Sequence, residues 1–260
     1  MEKKLFYDIE PDAYRAMTSA EYECEWTPEV WTYQTNLDEA KHAVTAEIER
    51  IQKLCPDHKI FLALGDSSNF RYGVYSNYKS NRRKFRKPAG YSVLRQWLRD
   101  TFEVITLPLT EADDVVGILA DQESGDVIYS RDKDLKTIPG LHLNAEGKIE
   151  KIQEFDANQA FYQTILTGDA TDGFPGLKGY GPVTAKKLLA ECTSELQMWE
   201  KVRAAYLKAA AKDPDVPDIL SQARCARILR QNEYDFTAEK PVEWEPPTSI
   251  EGVFIPTYHD

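Results

Sequence analysis

Four short apolar runs in the first half of the chain each lead into acidic residues, with helical stretches between them. LFY (5–7) ends at Asp8, and IFLAL (60–64) ends at Gly65-Asp66. FEVITLP (102–108) leads to Glu111, Asp113 and Asp114, and DVIYS (126–130) leads to Asp132 and Asp134. The β-branched and aromatic content of these runs favours strands. Residues 38–54 repeat Ala43, Val44, Ile48, Ile51 and Leu54 at helical spacing, and 91–100 and 110–122 read as further helices. Strands that alternate with helices predict βαβ units. The class is therefore α/β, with a mainly parallel central sheet flanked by helices. Sites in such sheets form beyond the carboxyl ends of the strands. Four strands would thus bring their acids to one edge.

From about Asp156 the pattern changes to helices joined by turns: Ala157–Thr167, Pro182–Cys192, Glu195–Ala211 and Ile219–Asn232, with a proline-rich break at 211–218. The expected organisation is an α/β core over 1–155, carrying a basic segment at about 71–99. A helical annex over 156–240 and an extended tail over 241–260 follow it. No run of 18 apolar residues exists, and the first residues lack the apolar stretch of a secretory signal. The four cysteines and four histidines show no metal-ligand spacing, which argues for free thiols and against a zinc site.

The formal net charge is −11, but its distribution matters more than its sum. Ser67–Arg99 holds nine Lys or Arg and no acid, whereas Thr101–Asp134 holds nine acids against Arg131 and Lys133. A basic block beside an acidic one suits a protein that grips a polyanion next to divalent cations. Within the basic block, SNYKSNRRKFRKP (76–88) interleaves Tyr78 and Phe85 with six cations. Cations neutralise phosphates without reading sequence, and aromatics can stack on an unpaired base.

The stretch GDATDGFPGLKGYGPVTAKKLL (168–189) adds Asp169 and Asp172, three apart like Glu111 and Asp114. Gly176, Gly179 and Gly181 permit a tight turn, and Pro182 suits a first helical position. A helix start with free N–H groups accepts phosphate. The dinucleotide fingerprint is excluded, because no strand precedes the glycines and Thr184 occupies the third glycine position.

In order and spacing, YDIE, LGDSSNFR, NYKSNRRKFRKP, LTEADDVVG, SRDKDLKTIPG and the 168–189 stretch resemble the 5′-nuclease (flap endonuclease) superfamily. The subfamily most resembled is the 5′→3′ exonucleases of short-tailed bacteriophages, whose own segments are similar to 15–31 and 222–236. The resemblance implies a PIN-like core with a helix–three-turn–helix annex. It implies a two-Mg²⁺ enzyme, with Mn²⁺ as a substitute, in which Asp8, Asp66, Glu111 and Asp113 build one metal site. Asp132, Asp134, Asp169 and Asp172 would build the other, with Asp114 in or beside the first. Lys79 and Arg82 would act on the scissile phosphate. Arg71, Tyr78, Lys79, Arg82, Arg83, Lys84, Arg86, Lys87, Gly176, Gly179, Gly181, Thr184, Lys186 and Lys187 would contact DNA, with a K⁺ ion at the hairpin. The implied substrates are duplex, flapped or nicked DNA and RNA–DNA hybrid. The setting is a host cytoplasm, with phage single-strand-binding or replication proteins as partners. The family usually has glycine where Ile9 stands, and Pro11-Asp12 interrupts an apolar helix start. Two rival readings are a catalytically inactive binder of branched DNA and a small-molecule phosphatase using Asp8. The second wants D-x-D, and the chain has Asp8-Ile9-Glu10. Crowding of about nine carboxylates also predicts raised pKa values and a metal-free protein stabilised by Mg²⁺.

Overall fold

The structure is a computed structural model that describes residues 2–248, the side chain of Arg83 excepted. The expected tail is thus described only to 248. Its strands are β1 (Lys3–Asp8), β2 (Glu21–Thr27), β3 (Val30–Thr35), β4 (His58–Ala63), β5 (Val104–Ile105), β6 (Val127–Tyr129), β7 (Gly140–Leu143) and β8 (Ile149–Ile152). The helices are α1 (Glu10–Ser19), α2 (Leu37–Leu54), α3 (Arg71–Val74), α4 (Tyr91–Thr101) and α5 (Ala112–Leu119) in the core. The annex adds α6 (Glu154–Thr167), α7 (Pro182–Leu189), α8 (Glu195–Ala210) and α9 (Ile219–Ala226).

Six strands form one sheet in the order β5-β4-β1-β6-β7-β8. All neighbours are parallel except the edge hairpin β7–β8. The mainly parallel sheet is thus as the alternation required. Residues of β1 alternate between two cores. Leu5 and Tyr7 pack with Val44 and Ile51 of α2 and Leu94 and Leu98 of α4. Phe6 packs on the other face with Val115 and Val116 of α5 and Ile128 of β6. Chain order reverses at β1: β4 and β5 lie on one side of it, β6 and β7 on the other. The ligand crevice of an open α/β sheet lies at such a switch point. Asp8 and the residues just after β6 therefore flank it.

Pro11 does not break the chain after β1. It sits in the first turn of α1, where its missing N–H costs nothing. Ile9 has ordinary helical angles and is fully buried, so this position needs no glycine.

Helices α6–α9 share a third core of Phe161, Tyr162, Leu189, Met198, Trp199 and Tyr206. That core is not confined to 156–240. Tyr78 enters it from the basic segment and Trp244 from the far end. Trp244 packs edge-on against Phe161 at 5.3 Å and Trp199 at 5.6 Å. The tail is therefore anchored at 244, and residues 249–260 lie outside the described ones. Helix α9 is also shorter than expected. It stops at Ala226, after which Ile228 and Leu229 turn back onto α5.

The root of the 168–189 stretch is a backbone crossing. Gly168 (φ +66°) and Gly176 (φ +63°) approach so closely that a Cβ on Gly176 would lie 2.2 Å from the Gly168 nitrogen. Replacing Gly176 by Ala combines left-handed strain with overpacking, a loss of roughly 2–4 kcal/mol. A lower urea midpoint at unchanged m-value is the expected result, and an unchanged midpoint would contradict this close crossing.

Candidate metal centre and nucleic-acid interface

The acids are carried by separate elements. Asp8 closes β1 and is almost fully buried. Ser130, just past β6, donates its hydroxyl to Asp8 Oδ2 at 2.9 Å and accepts the Asp132 N–H at 2.9 Å. The two strand ends are thus tied. Asp132 in turn accepts the N–H of Asp134 at 2.9 Å. Burial, with Glu10 and Asp132 nearby, pushes Asp8 up to about 7. Burial, with Asp132 and Asp169 nearby, pushes Asp134 up to about 6.

Across the crevice, Glu111 caps α5 and Asp113 lies in its first turn. Thr110, just before the cap, donates its hydroxyl to the Leu107 carbonyl at 2.8 Å. Burial beside Asp114 and Glu111 pushes Asp113 well above the usual carboxylate range. Burial would raise Glu111 too, but Lys79 and Arg71 hold it at about 2. Asp66 follows β4 and accepts backbone N–H groups of Leu109 (3.0 Å) and Ser67 (2.6 Å). These bonds hold it below its ordinary value.

Asp169 and Asp172 lie on one turn, where Asp169 Oδ1 accepts the N–H groups of Thr171 and Asp172. The basic segment is stitched along this turn. Lys79 donates its backbone N–H to the Asp172 carbonyl at 2.6 Å, and Asn81 donates to the Ala170 carbonyl at 2.7 Å. The Tyr78 hydroxyl lies 2.7 Å from Glu111 Oε2 and 2.8 Å from Asp172 Oδ2. The Lys79 ammonium pairs with Glu111 and stands 3.6 Å from Asp172. Arg82 pairs with Asp172. Lys79 adopts a left-handed conformation, φ 52°, an uncommon geometry kept where the surroundings impose it. Burial pushes Asp172 up against the pull of Lys79 and Arg82.

Among the described residues, no three acids, histidines or cysteines already surround one point as a finished metal cage. The donor set still suits a hard cation. It is all oxygen, and burial raises Asp8, Asp113, Asp134 and Asp172, so added positive charge would favour their ionised forms.

Three residues stand apart from the predicted roles. Asp114 is 0% and Arg71 1% exposed. The Arg71 guanidinium donates to both Asp114 oxygens at 2.7 Å and to the carbonyls of Cys225 and Arg227. Asp114 also accepts the N–H groups of Glu111 (3.0 Å) and Leu229 (2.9 Å). Neither carboxylate nor guanidinium has capacity left for a metal or a phosphate. The pair instead pins α5 to the chain after α9. Tyr78 is buried, so its ring faces Phe174 and cannot stack on a base. In this segment the open aromatics are Phe85, 77% exposed, and Tyr72, 47% exposed.

Lys84, Lys87, Thr184, Lys186 and Lys187 are exposed. Arg86 pairs with Glu21 of β2. The side chain of Arg83 lies outside the described residues. In the hairpin, Gly179 has φ +89° and open space around it, whereas Gly181 has extended angles that any residue adopts. The Gly176 N–H is taken by Gln222 at 2.9 Å.

The sequence reading missed a brace behind Asp132. Arg131 donates to Asp12 at 2.5 Å and to Glu47 at 2.8 Å, and Tyr7 donates to Asp12 at 2.7 Å. The only signal for it was Arg131 beside the acids of SRDKD.

Residues 24–164 match the family described as 5′-3′ exonuclease, N-terminal resolvase-like domain. The chain is 31% identical to the exonuclease of Escherichia phage T7 over 272 residues, which covers 90% of each. Its fold resembles a bacteriophage T5 protein co-crystallised with metal ions, at TM-score 0.61 and 13% identity, covering 87% and 89% of the two chains. It also resembles a T5 flap endonuclease in a pseudo-enzyme-product complex with DNA and metal ions. That likeness has TM-score 0.54 at 14% identity and covers 85% and 99%.

Proposed function

The chain belongs to the 5′-3′ exonuclease and flap endonuclease family, and from that premise we propose a Mg²⁺-dependent enzyme that hydrolyses phosphodiesters from the 5′ end of duplex DNA. Flap cleavage and RNase H-type removal of primers extend the same activity, in phage DNA replication and host DNA degradation. The observation that carries the reading is the seating of Lys79 and Arg82 directly on Glu111 and Asp172. Phosphate-neutralising groups and cation-binding groups then meet at one place.

Asp8, Asp66, Glu111, Asp113, Asp132, Asp134, Asp169 and Asp172 would hold two divalent ions. Bound there, the ions would lower the pKa of water to give a nucleophile and would offset charge on the leaving oxygen. The chain's own groups supply the rest. Lys79 and Arg82 exchange their carboxylate partners for the scissile phosphate and offset its charge in the transition state. Tyr78, fixed between Glu111 and Asp172, keeps those two carboxylates apart and oriented. The first turn of α7, with Thr184, Lys186 and Lys187, holds the duplex backbone. Asp114 and Arg71 act as a structural pin rather than as ligands.

Product analysis on 5′-labelled duplex, flapped and RNA–DNA substrates tests this. Release of short 5′ products with Mg²⁺, abolished by chelation, is expected. Replacing Lys79 by Ala should lower kcat by about 10²-fold with Kd for DNA changed much less. Tight binding of branched DNA without cleavage in Mg²⁺ would instead favour the inactive binder.

A further inference from the structure

Strands β2 and β3 form an isolated antiparallel ribbon that none of the core strands joins. It exposes Tyr22, Trp26, Val30, Trp31 and Tyr33, each about half accessible or more. Singly exposed apolar residues are ordinary, but five on one fifteen-residue ribbon mark a contact surface. Aromatics of this kind dominate the energetic centres of interfaces.

The two faces of the ribbon differ. Side chains alternate along a strand, and the register pairs Glu23 with Tyr33 and Glu25 with Trp31. One face therefore carries Glu21, Glu23 and Glu25 beside Trp31 and Tyr33. On the other, Tyr22 bonds Gln34 at 3.0 Å and Trp26 bonds Thr32 at 2.8 Å.

The acidic face already holds one cation. Arg86 donates to both oxygens of Glu21, at 2.5 and 2.7 Å, and its guanidinium lies 3.5 Å over the Tyr33 ring. That combination is a forked ion pair plus a cation–π contact, a geometry suited to arginine and not to lysine. Two residues further along each strand, about 6.8 Å away, Glu23 and Trp31 repeat the relation of Glu21 to Tyr33. The aromatic is now Trp, the better cation–π partner. Glu23 and Glu25 are exposed and carry no ion pair among the described residues.

We propose that Glu23 and Trp31, with Glu25 beside them, form a docking site for an arginine side chain of a basic protein segment. The guanidinium would lie on the Trp31 indole and fork onto Glu23, as Arg86 does on Tyr33 and Glu21. Glu23 and Glu25, the carboxylates without an ion pair on this face, repel phosphate, so a cationic peptide suits it and a nucleic acid does not. The site lies outside the carboxylate crevice and beyond the DNA hydrolysis proposed for it.

Fluorescence anisotropy with a labelled hexa-arginine peptide and the full chain tests the site. Trp31→Ala and Glu23→Gln should each weaken binding about three- to fivefold, and the pair about tenfold. Glu146→Gln makes the same charge change in the exposed β7–β8 turn and should leave binding as it was. Hexa-lysine should bind more weakly than hexa-arginine. Thermal melts and nuclease rates of the ribbon variants should match the parent, since these side chains are exposed and make no hydrogen bond or ion pair to the acids of the crevice. Equal losses for Glu23→Gln and Glu146→Gln, or none for Trp31→Ala, would overturn the proposal. So would tight binding of an oligo-dT strand that Trp31→Ala abolishes while peptide binding persists.

Discussion

Asp8→Asn should do two opposite things: abolish cleavage and make the metal-free protein more stable. Asp8 is nearly inaccessible and its carboxyl rises from the ordinary 3.8 to about 7, first through burial and then through Glu10 and Asp132. A raised folded-state pKa on an acid means that the folded state binds the extra proton. Stability is then highest below the unfolded value and falls as pH rises toward 7. A shift of about three units corresponds to at most about 4 kcal/mol at pH 8. An amide of the same shape carries no charge and avoids that loss. The variant should melt about 5 °C or more above the parent at pH 8 in EDTA. The difference should shrink steadily toward pH 4. Added Mg²⁺ should close the gap, because mass action stabilises only the protein with an intact site, by about 2.7 kcal/mol at 100 times Kd and about 4.1 at 1,000 times Kd. Turnover should fall about 10⁴-fold or more, as removing a metal ligand forfeits several kcal/mol of barrier lowering. Melting curves at pH 4, 6 and 8 with EDTA or Mg²⁺, beside a cleavage assay, check each part. A variant that melts like its parent at every pH, or still cuts, would remove Asp8 from the site.

The contrast between Asp8 and Glu111 shows how far the sequence could be read. Crowded acids predicted raised pKa values, and Asp8, Asp113 and Asp134 follow that expectation. Glu111 does not, because Lys79 and Arg71 lie against it. Those cations come from positions 32 and 40 residues earlier in the chain. Spacing within a motif reports which residues share a turn, but not which distant segment lands on them. The same limit explains the pin. Glu111 and Asp114 were legible as neighbours on one helix. That Asp114 faces inward onto Arg71 depends on Cys225, Arg227 and Leu229, more than 100 residues away. The sheet, by contrast, was legible because period-two and period-3.6 patterns are local. The ribbon β2–β3 went unread because exposed aromatics lie on both of its faces, with acids among those of one, so it lacks the apolar face that marks a core strand.

Arg71 and Asp114 supply the sharper test, because the sequence casts them as DNA contact and metal neighbour while the packing casts them as a structural pair. Removing one partner of a buried pair strands the other's charge, at about 3–5 kcal/mol. Arg71→Ala and Asp114→Asn should each lower Tm by about 10 °C. Cleavage well below the new Tm, in Mg²⁺, should be lowered but not abolished, because the pair steadies Glu111 (Arg71 Nη1 lies 3.4 Å from its Oε2 and Asp114 accepts its N–H) without presenting a free polar atom of its own to a metal or a phosphate. The double variant Arg71→Met/Asp114→Leu should not recover the loss. It removes both charges, yet leaves the N–H groups of Glu111 and Leu229 and the carbonyls of Cys225 and Arg227 without partners. Each such buried group costs about 1–3 kcal/mol. A double-mutant cycle should therefore show coupling between the two sites but no rescue. If Asp114 were a ligand, Asp114→Asn would show the reverse pattern: a melt close to the parent in EDTA, and cleavage lost at every temperature. The two roles are thus separated by one variant and two measurements.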